Sequence, residues 1–367
     1  MTASASDLTS QTLAPALVEQ ATRTLLTAAP AASAVAVALH RKGRRALLVR
    51  GHTMHHVGQP ITSATRFEIG SLTKTFTALL LAEQAARGLL GHKDPLALHL
   101  PADTELPPQG SAITLTHLAT HTSGLPNTPP GLHGLLTAFL HTPLVQTPFP
   151  PLLTTPYAAF TTGHALRALA QVRLHARPGT RFLYSNYAVG LLGHALAHTT
   201  QMSFPDLAQA RVMRPLRLQD TNCATTPSTA TGYWRHRAQP PLHIPGLLPS
   251  GAMRASVRDL LTLAEALLDP ASAAGIPSTL RSALYDVQRP RLRRPRSPNL
   301  LGLVWNIRPR PDGSTVHYHT GGTFGFTAFV GFNSHHGTAV IALANTAASR
   351  RNDLVQQAYN TLLTLHR

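Results

Sequence analysis

Strand-forming patterns sit at the two ends of this 367-residue chain and are scarce between them. Near the start, Ser33 to Leu39 is an alanine/valine run suited to a strand buried on both faces. Arg41-Lys42-Gly43-Arg44 supplies a turn, and Ala46-Leu47-Leu48-Val49 a partner strand. Near the finish, Leu303 to Ile307, Thr315 to His319, Thr327 to Phe332 and Thr338 to Leu343 read as strands. Pro311-Asp312-Gly313 and Ser334-His335-His336-Gly337 read as the turns between them. Turns this short join antiparallel neighbours. Helical spacing marks residues 11–27 and Asp353 to Leu365. The expected fold is therefore α/β of the α+β kind: one antiparallel sheet assembled from both chain ends and flanked by helices.

The middle is helical and proline-punctuated, with candidate helices at Leu115–His121, Gly163–Leu174, Asn186–His198, Phe204–Val212 and Val257–Leu268. The expected division is a sheet domain from residues 1–88 with 300–367, and an inserted, mostly helical domain from 89–299.

Composition narrows the partners. Hydrophobic residues make up 43% of the chain, as in a globular protein rather than a disordered one. The formal charge of +17 favours anionic surroundings but says nothing of fold. Its one dense cluster, Arg289, Arg291, Arg293, Arg294 and Arg296, interleaves with prolines. That pattern reads as a solvated, extended loop, and with aromatics at 5% no nucleic-acid partner is expected. The single cysteine, Cys223, excludes an internal disulfide. Among 21 histidines there is no His-Glu-x-x-His pattern. The doublets His55-His56 and His335-His336 read as surface residues beside turns, and His317 with His319 gives at most a weak pair, so neither metal nor cofactor is expected. Met1 to Ser10 lacks the basic flank and apolar core of a signal peptide, and no run is long enough to span a membrane. A cytoplasmic location is the expectation, or a periplasmic or extracellular one if the start is trimmed.

Residues 67–74 read Phe-Glu-Ile-Gly-Ser-Leu-Thr-Lys and lead into the apolar segment Thr75 to Ala82. Positions i and i+3 share a helix face, so Ser71 and Lys74 project from one turn. A serine is a weak nucleophile until a base takes its proton, and a lysine is such a base only if its pKa falls. Burial and a helix N-terminus both press in that direction. The chain has only three lysines, Lys42, Lys74 and Lys93, against 29 arginines. Arginine effectively cannot deprotonate, which singles Lys74 out. Alone, the tetrad is also what a helix N-cap looks like.

Two later elements change its weight. Tyr184-Ser185-Asn186 lies 113 residues after the serine, directly before an apolar helix, and His319-Thr320-Gly321-Gly322 a further 135 residues on. In this order the three resemble the motifs of the serine β-lactamase-like family, in the branch of class C β-lactamases, D,D-peptidases and esterases. The blocks Leu118 to Pro126, Met213 to Thr221 and Gly251 to Leu260 resemble further recurrent stretches of that family. The resemblance implies an acyl-enzyme on Ser71, with Lys74 and Tyr184 sharing its proton, either of them being the base. It implies that Asn186 holds Lys74 and the substrate amide, that His319, Thr320 and Gly321 bind substrate, and that the backbone N–H groups of Ser71 and Gly322 hold the oxyanion. Glu68 is read as structural.

One departure bears on substrate. Many β-lactamases carry lysine where this chain has His319, a neutral imidazole at pH 7 whose field is weaker and pH-dependent. Histidine there resembles the peptidase and esterase branches more. The expected activity is hydrolysis of a small-molecule acyl substrate: an ester, a D-amino-acid amide or peptide, or a β-lactam. The alternatives are a penicillin-binding sensor that acylates but deacylates poorly, and an arginine-rich interaction module with a vestigial site.

Overall fold

The computed structural model describes residues 13–132, 157–226, 228–294 and 297–366. Helix α1 (Pro15–Leu25) leads into β1 (Ala34–Arg41) and β2 (Arg44–Gly51). β3 (Arg66–Glu68) and a single 3-10 turn, Gly70–Leu72, precede α2 (Thr73–Ala86). The middle of the chain supplies α3 (Leu115–Ala119), α4 (Thr162–Ala170), α5 (Asn186–Thr200) and α6 (Phe204–Ala208). A small hairpin follows, β4 (Tyr233–Trp234) and β5 (Arg237–Ala238), then α7 (Leu248–Gly251), β6 (Arg254–Ser256), α8 (Val257–Leu268) and α9 (Ser278–Asp286). The end of the chain adds β7 (Leu292–Arg293), β8 (Leu300–Leu301), β9 (Asn306–Pro309), β10 (Thr315–Gly322), β11 (Thr327–Asn333), β12 (Thr338–Ala344) and α10 (Leu354–Thr364).

Eight strands form one sheet in the order β2-β1-β12-β11-β10-β9-β8-β7, antiparallel at every pairing. The joint between the chain's two ends is β1 with β12, where Val35 faces Ala344 and Arg41 faces Thr338. Strand side chains alternate between faces, and the sequence uses that alternation on both sides. Ala34, Ala36 and Ala38 of β1, with Ala339, Ile341 and Leu343 of β12, join the large core that contains α2, α5 and α8. Val35, Val37 and Leu39, with Val340, Ala342 and Ala344, join a second core beneath α1 and α10. Alanine-rich central strands suit this layering, since small side chains let helices approach both faces.

Helix α2 is buried over Thr73 to Gln84. Burial on all sides makes α2 a core helix, packed by α5, α7 and α9. The residues just before it are fixed by β3, which pairs with β6, and by an ion pair between Glu68 and Arg254 at 3.1 Å with both side chains almost fully buried. Glu68 also accepts from the Leu242 N–H at 2.7 Å.

Several expectations are corrected. The run Leu303 to Ile307 is not one strand. Gly302 donates to the Trp305 carbonyl and closes a tight turn, Val304 takes φ +58°, and pairing resumes only at Asn306. Leu303, Val304 and Trp305 are nonetheless buried, and an apolar run reads alike in a buried turn and in a strand. Helix α3 stops at Ala119, because Thr120 leaves helical geometry and His121 adopts φ +56°. Helix α4 stops at Ala170, and α6 passes at Gln209 into a π-helical turn that ends at Met213. The arginine cluster is not simply a solvated loop: Leu292–Arg293 pairs with Leu300–Leu301 as the sheet's edge, and Arg291 forms an ion pair with Asp286. Arg296 lies outside the described residues. Among the described residues no helix is long and apolar enough to cross a membrane.

Candidate active site

Ser71 sits in the 3-10 turn that opens α2, directly under the end of β10. The approach is close enough to require glycine on both sides. A Cβ on Gly321 would lie 1.9 Å from the Ile69 carbonyl oxygen, and one on Gly70, whose φ is +50°, would lie 2.4 Å from the Gly322 carbonyl oxygen. The third motif thus meets the first through backbone, bringing Gly322 beside Ser71.

Lys74 projects from the first turn of α2 into the protein and is fully buried. Its Nζ lies 2.9 Å from Ser71 Oγ, 2.7 Å from Asn186 Oδ1 and 2.7 Å from the Ser250 carbonyl oxygen. A neutral amine has two hydrogens and one lone pair. Two of the three neighbours are carbonyl oxygens, which can only accept, so they take both hydrogens and leave the lone pair facing the Ser71 hydroxyl. Burial also lowers the Lys74 pKa to about 7, so the neutral amine is well populated at neutral pH.

Tyr184 donates from its hydroxyl to Ser71 Oγ at 2.9 Å, while 40% of its surface remains open to solvent. Burial of its inner part pushes the phenol pKa up, and the hydrogen bond to Ser71 only partly opposes this. The Lys74 Nζ, 5.2 Å from the ring centroid, favours the phenolate only while it is charged, and a pKa lowered to about 7 limits that assistance at neutral pH.

Three further groups set the geometry of these four residues. Ser185 caps α5 by accepting from the Ala188 N–H, which puts Asn186 at the first helical position rather than at the cap. Asn127 Oδ1 accepts from both the backbone N–H and the side-chain amide of Asn186, each at 3.1 Å. That contact turns the Asn186 carbonyl toward Lys74. His121, only 2% exposed, braces Tyr184. Its carbonyl accepts from the Leu183 N–H at 2.7 Å, its Nδ1 from the Ser185 N–H at 3.2 Å, and its ring lies 4.5 Å from that of Tyr184. Since Nδ1 accepts, Nε2 carries the proton, and it is buried with no hydrogen-bond partner among the described residues. Burial, then the Lys74 charge, hold this imidazole neutral.

His319 lies on β10 behind these groups. Its Nδ1 donates to the Thr320 carbonyl at 2.8 Å, and burial followed by the Lys74 charge lowers its pKa to about 4. It is neutral throughout the physiological range, as a neutral imidazole at pH 7 was expected to be, and its charging lies well below the unperturbed value. Thr320 and Gly321 continue the same strand. His317 points elsewhere, to the Gln288 carbonyl.

A cavity of about 240 Å³ opens at Ser71, bounded by Asn186 and Gly322 and walled by Tyr157, Leu242, Ile244 and Phe324. A larger one, about 760 Å³, lies near His40 and Glu265 and touches none of these groups. Sequence reasoning assigned no role to His121, Asn127 or Ser250. The blocks containing His121 and Ser250's neighbours were visible as recurrent stretches, but a backbone carbonyl leaves no residue-type signature.

The family model described as Beta-lactamase matches residues 19–363. A protein named Beta-lactamase from Escherichia coli (strain K12) is 30% identical over 240 residues, covering 64% of this chain and 56% of that protein. The D-alanyl-D-alanine-carboxypeptidase/endopeptidase AmpH of the same organism is 25% identical over 308 residues, 81% of this chain and 75% of that one. A Beta-lactamase from Pseudomonas fluorescens is 28% identical over 356 residues, covering 85% and 88%. The first of these matches spans little more than half of its relative's length. With a family match running across nearly the whole sequence, the chain belongs to the Beta-lactamase family.

Proposed function

We propose that this chain is a serine hydrolase that works through an acyl-enzyme on Ser71. The observation that carries the reading is the hydrogen-bond count at Lys74: two carbonyl acceptors, one serine hydroxyl, and a pKa lowered to about 7. Lys74 takes the Ser71 proton as Oγ attacks the substrate carbonyl. The oxyanion is held by the backbone N–H groups of Ser71 and Gly322, an interaction whose loss costs about 10²–10³ in kcat where one donor can be removed. The proton passes from Lys74, by way of the Tyr184 hydroxyl, to the leaving group. Water then cleaves the acyl-serine ester and restores the hydroxyl. Of the two candidate bases we assign Lys74, because burial lowers its pKa toward neutrality and raises that of Tyr184. Asn186 orients Lys74 and the substrate amide, and His319, Thr320 and Gly321 line the strand along which substrate lies.

The substrate is a small ester, a D-amino-acid amide or peptide, or a β-lactam. A compact cavity with apolar walls suits a short acyl group, and a neutral His319 offers no charge to a substrate carboxylate. The names of the relatives, β-lactamase and D-alanyl-D-alanine carboxypeptidase, fall within the same acyl-transfer class. Turnover of nitrocefin, a short-chain nitrophenyl ester and a D-alanyl amide by wild type and Ser71→Ala tests this. Sustained turnover of at least one, abolished by Ser71→Ala, is expected. Full activity in that variant refutes the assignment, and a stable covalent adduct without turnover replaces it with a slowly deacylating sensor.

A further inference from the structure

At the end of the sheet away from Ser71, three side chains from three separate segments converge. Asp312 is in the turn between β9 and β10, His336 in the turn between β11 and β12, and His366 just beyond α10. One ligand-type atom from each lies within 4.8 Å of the other two. His336 Nε2 is 2.9 Å from Asp312 Oδ2, and the rings of His336 and His366 lie nearly parallel with centroids 4.2 Å apart. β10 spans the eight residues from Thr315 to Gly322. At about 3.3 Å per residue it separates this cluster from Gly322 by more than 20 Å.

Each of the three is braced from behind. Asp312 Oδ1 accepts from the Ser314 N–H at 3.0 Å, which turns Oδ2 toward the histidines. Asn333 accepts from the His336 N–H at 3.2 Å and donates to Ser314 Oγ at 3.0 Å, tying the two turns together. Arg41 donates to the His366 carbonyl at 3.0 Å.

We propose that Asp312, His336 and His366 form a binding site for a divalent transition-metal ion, which joins the end of α10 to the two turns. Two imidazoles and one carboxylate are a donor set for zinc, whose bonds to such atoms are about 2.0–2.2 Å in a tetrahedral arrangement. Ligand atoms then stand about 3.3 Å apart, so closing the cluster from 4.8 Å asks only for side-chain rotation at the partly exposed histidines. A water fills the fourth position. Calcium and magnesium, which prefer oxygen donors, fit poorly. The same arrangement without metal is an Asp–His ion pair with a stacked second ring, and the test separates the two.

The full-length chain, with any affinity tag removed, is titrated with Zn²⁺ against a chromophoric chelator, and its thermal unfolding is followed with and without the ion. The expected result is one saturable equivalent that raises the Tm. His336→Asn and His366→Asn should each weaken it by at least about tenfold, the scale of lost ligand support at metal sites. Nitrophenyl-ester turnover should be unchanged in both, since they lie at the far end of the sheet. His366 lies outside the sheet, half-buried just beyond α10, so its variant tests the site even if His336→Asn folds poorly. Absence of saturable binding, or binding as tight in both variants as in wild type, overturns the proposal, since Zn²⁺ is then held elsewhere among the other histidines or not at all.

Discussion

Replacing Asn186 by aspartate tests the base assignment most directly, because it puts a negative charge where a neutral oxygen now lies 2.7 Å from Lys74 Nζ. Two unit charges about 4 Å apart at an effective dielectric of about 20 interact by about 4 kcal/mol. At 1.36 kcal/mol per pKa unit this is about 3 units, enough to return Lys74 from about 7 to about 10. Turnover follows the neutral amine, whose fraction rises with pH. At pH 7 that fraction falls from about one half to about one in a thousand, so kcat/KM drops by roughly 500-fold. The assay is kcat/KM for a short-chain nitrophenyl ester from acid to alkaline pH, corrected for spontaneous hydrolysis. Wild type should show a rising limb centred near pH 7, and Asn186→Asp the same limb near pH 10, with activity recovering as the medium becomes alkaline. Loss of the Asn186 amide donor lowers the plateau but does not move the limb. A variant whose limb stays with that of wild type, or a wild type with no limb within about a unit of pH 7, refutes the lysine-base reasoning.

Two further predictions follow from buried groups around the site. Glu68→Ala leaves Arg254 buried without its counter-ion, and should cost about 3–5 kcal/mol in urea unfolding; a loss below about 1 kcal/mol would mean that the Cys223, Ala252 and Leu242 carbonyls already satisfy the guanidinium. His121→Phe keeps a ring against Tyr184 but removes the acceptor for the Ser185 N–H, worth about 1–3 kcal/mol as a buried unpaired donor. If His121 positions Tyr184, kcat falls by about tenfold or more at nearly constant KM and His121→Asn restores part of it; equal losses in stability with kcat intact would leave it a packing residue.

What was legible without coordinates is uneven, and the reasons are physical. β11 and β12 were read to within a residue because their β-branched and aromatic runs are bounded by short turn segments, although every position in them is buried; β10 continues past the expected His319 to Gly322. Leu303 to Trp305 misled because an apolar run reads alike in a buried turn and in a strand. The motif residues Ser71, Lys74, Tyr184 and Asn186, scattered over more than a hundred positions, do converge within hydrogen-bond distance. Nothing in the spacing of His121 or Asn127 distinguished them from ordinary loop residues. His319 was legible as a position and as a neutral ring at pH 7, but not how far its pKa falls, because that depends on what surrounds the ring.

By itself the sequence determined the fold class, the assembly of one antiparallel sheet from both chain ends, and the residue types available for acyl transfer. Those follow from local periodicity and from chemistry carried by single side chains. Only the tertiary structure decided the pKa shifts: Lys74 lowered to about 7 by burial, His319 lowered to about 4, and Tyr184 pushed the other way. It alone also brought the Ser250 carbonyl, the Asn127 amide and the two close-packed glycines into register around Ser71. Desolvation and backbone placement belong to the whole packed molecule, and no local pattern of residues encodes them.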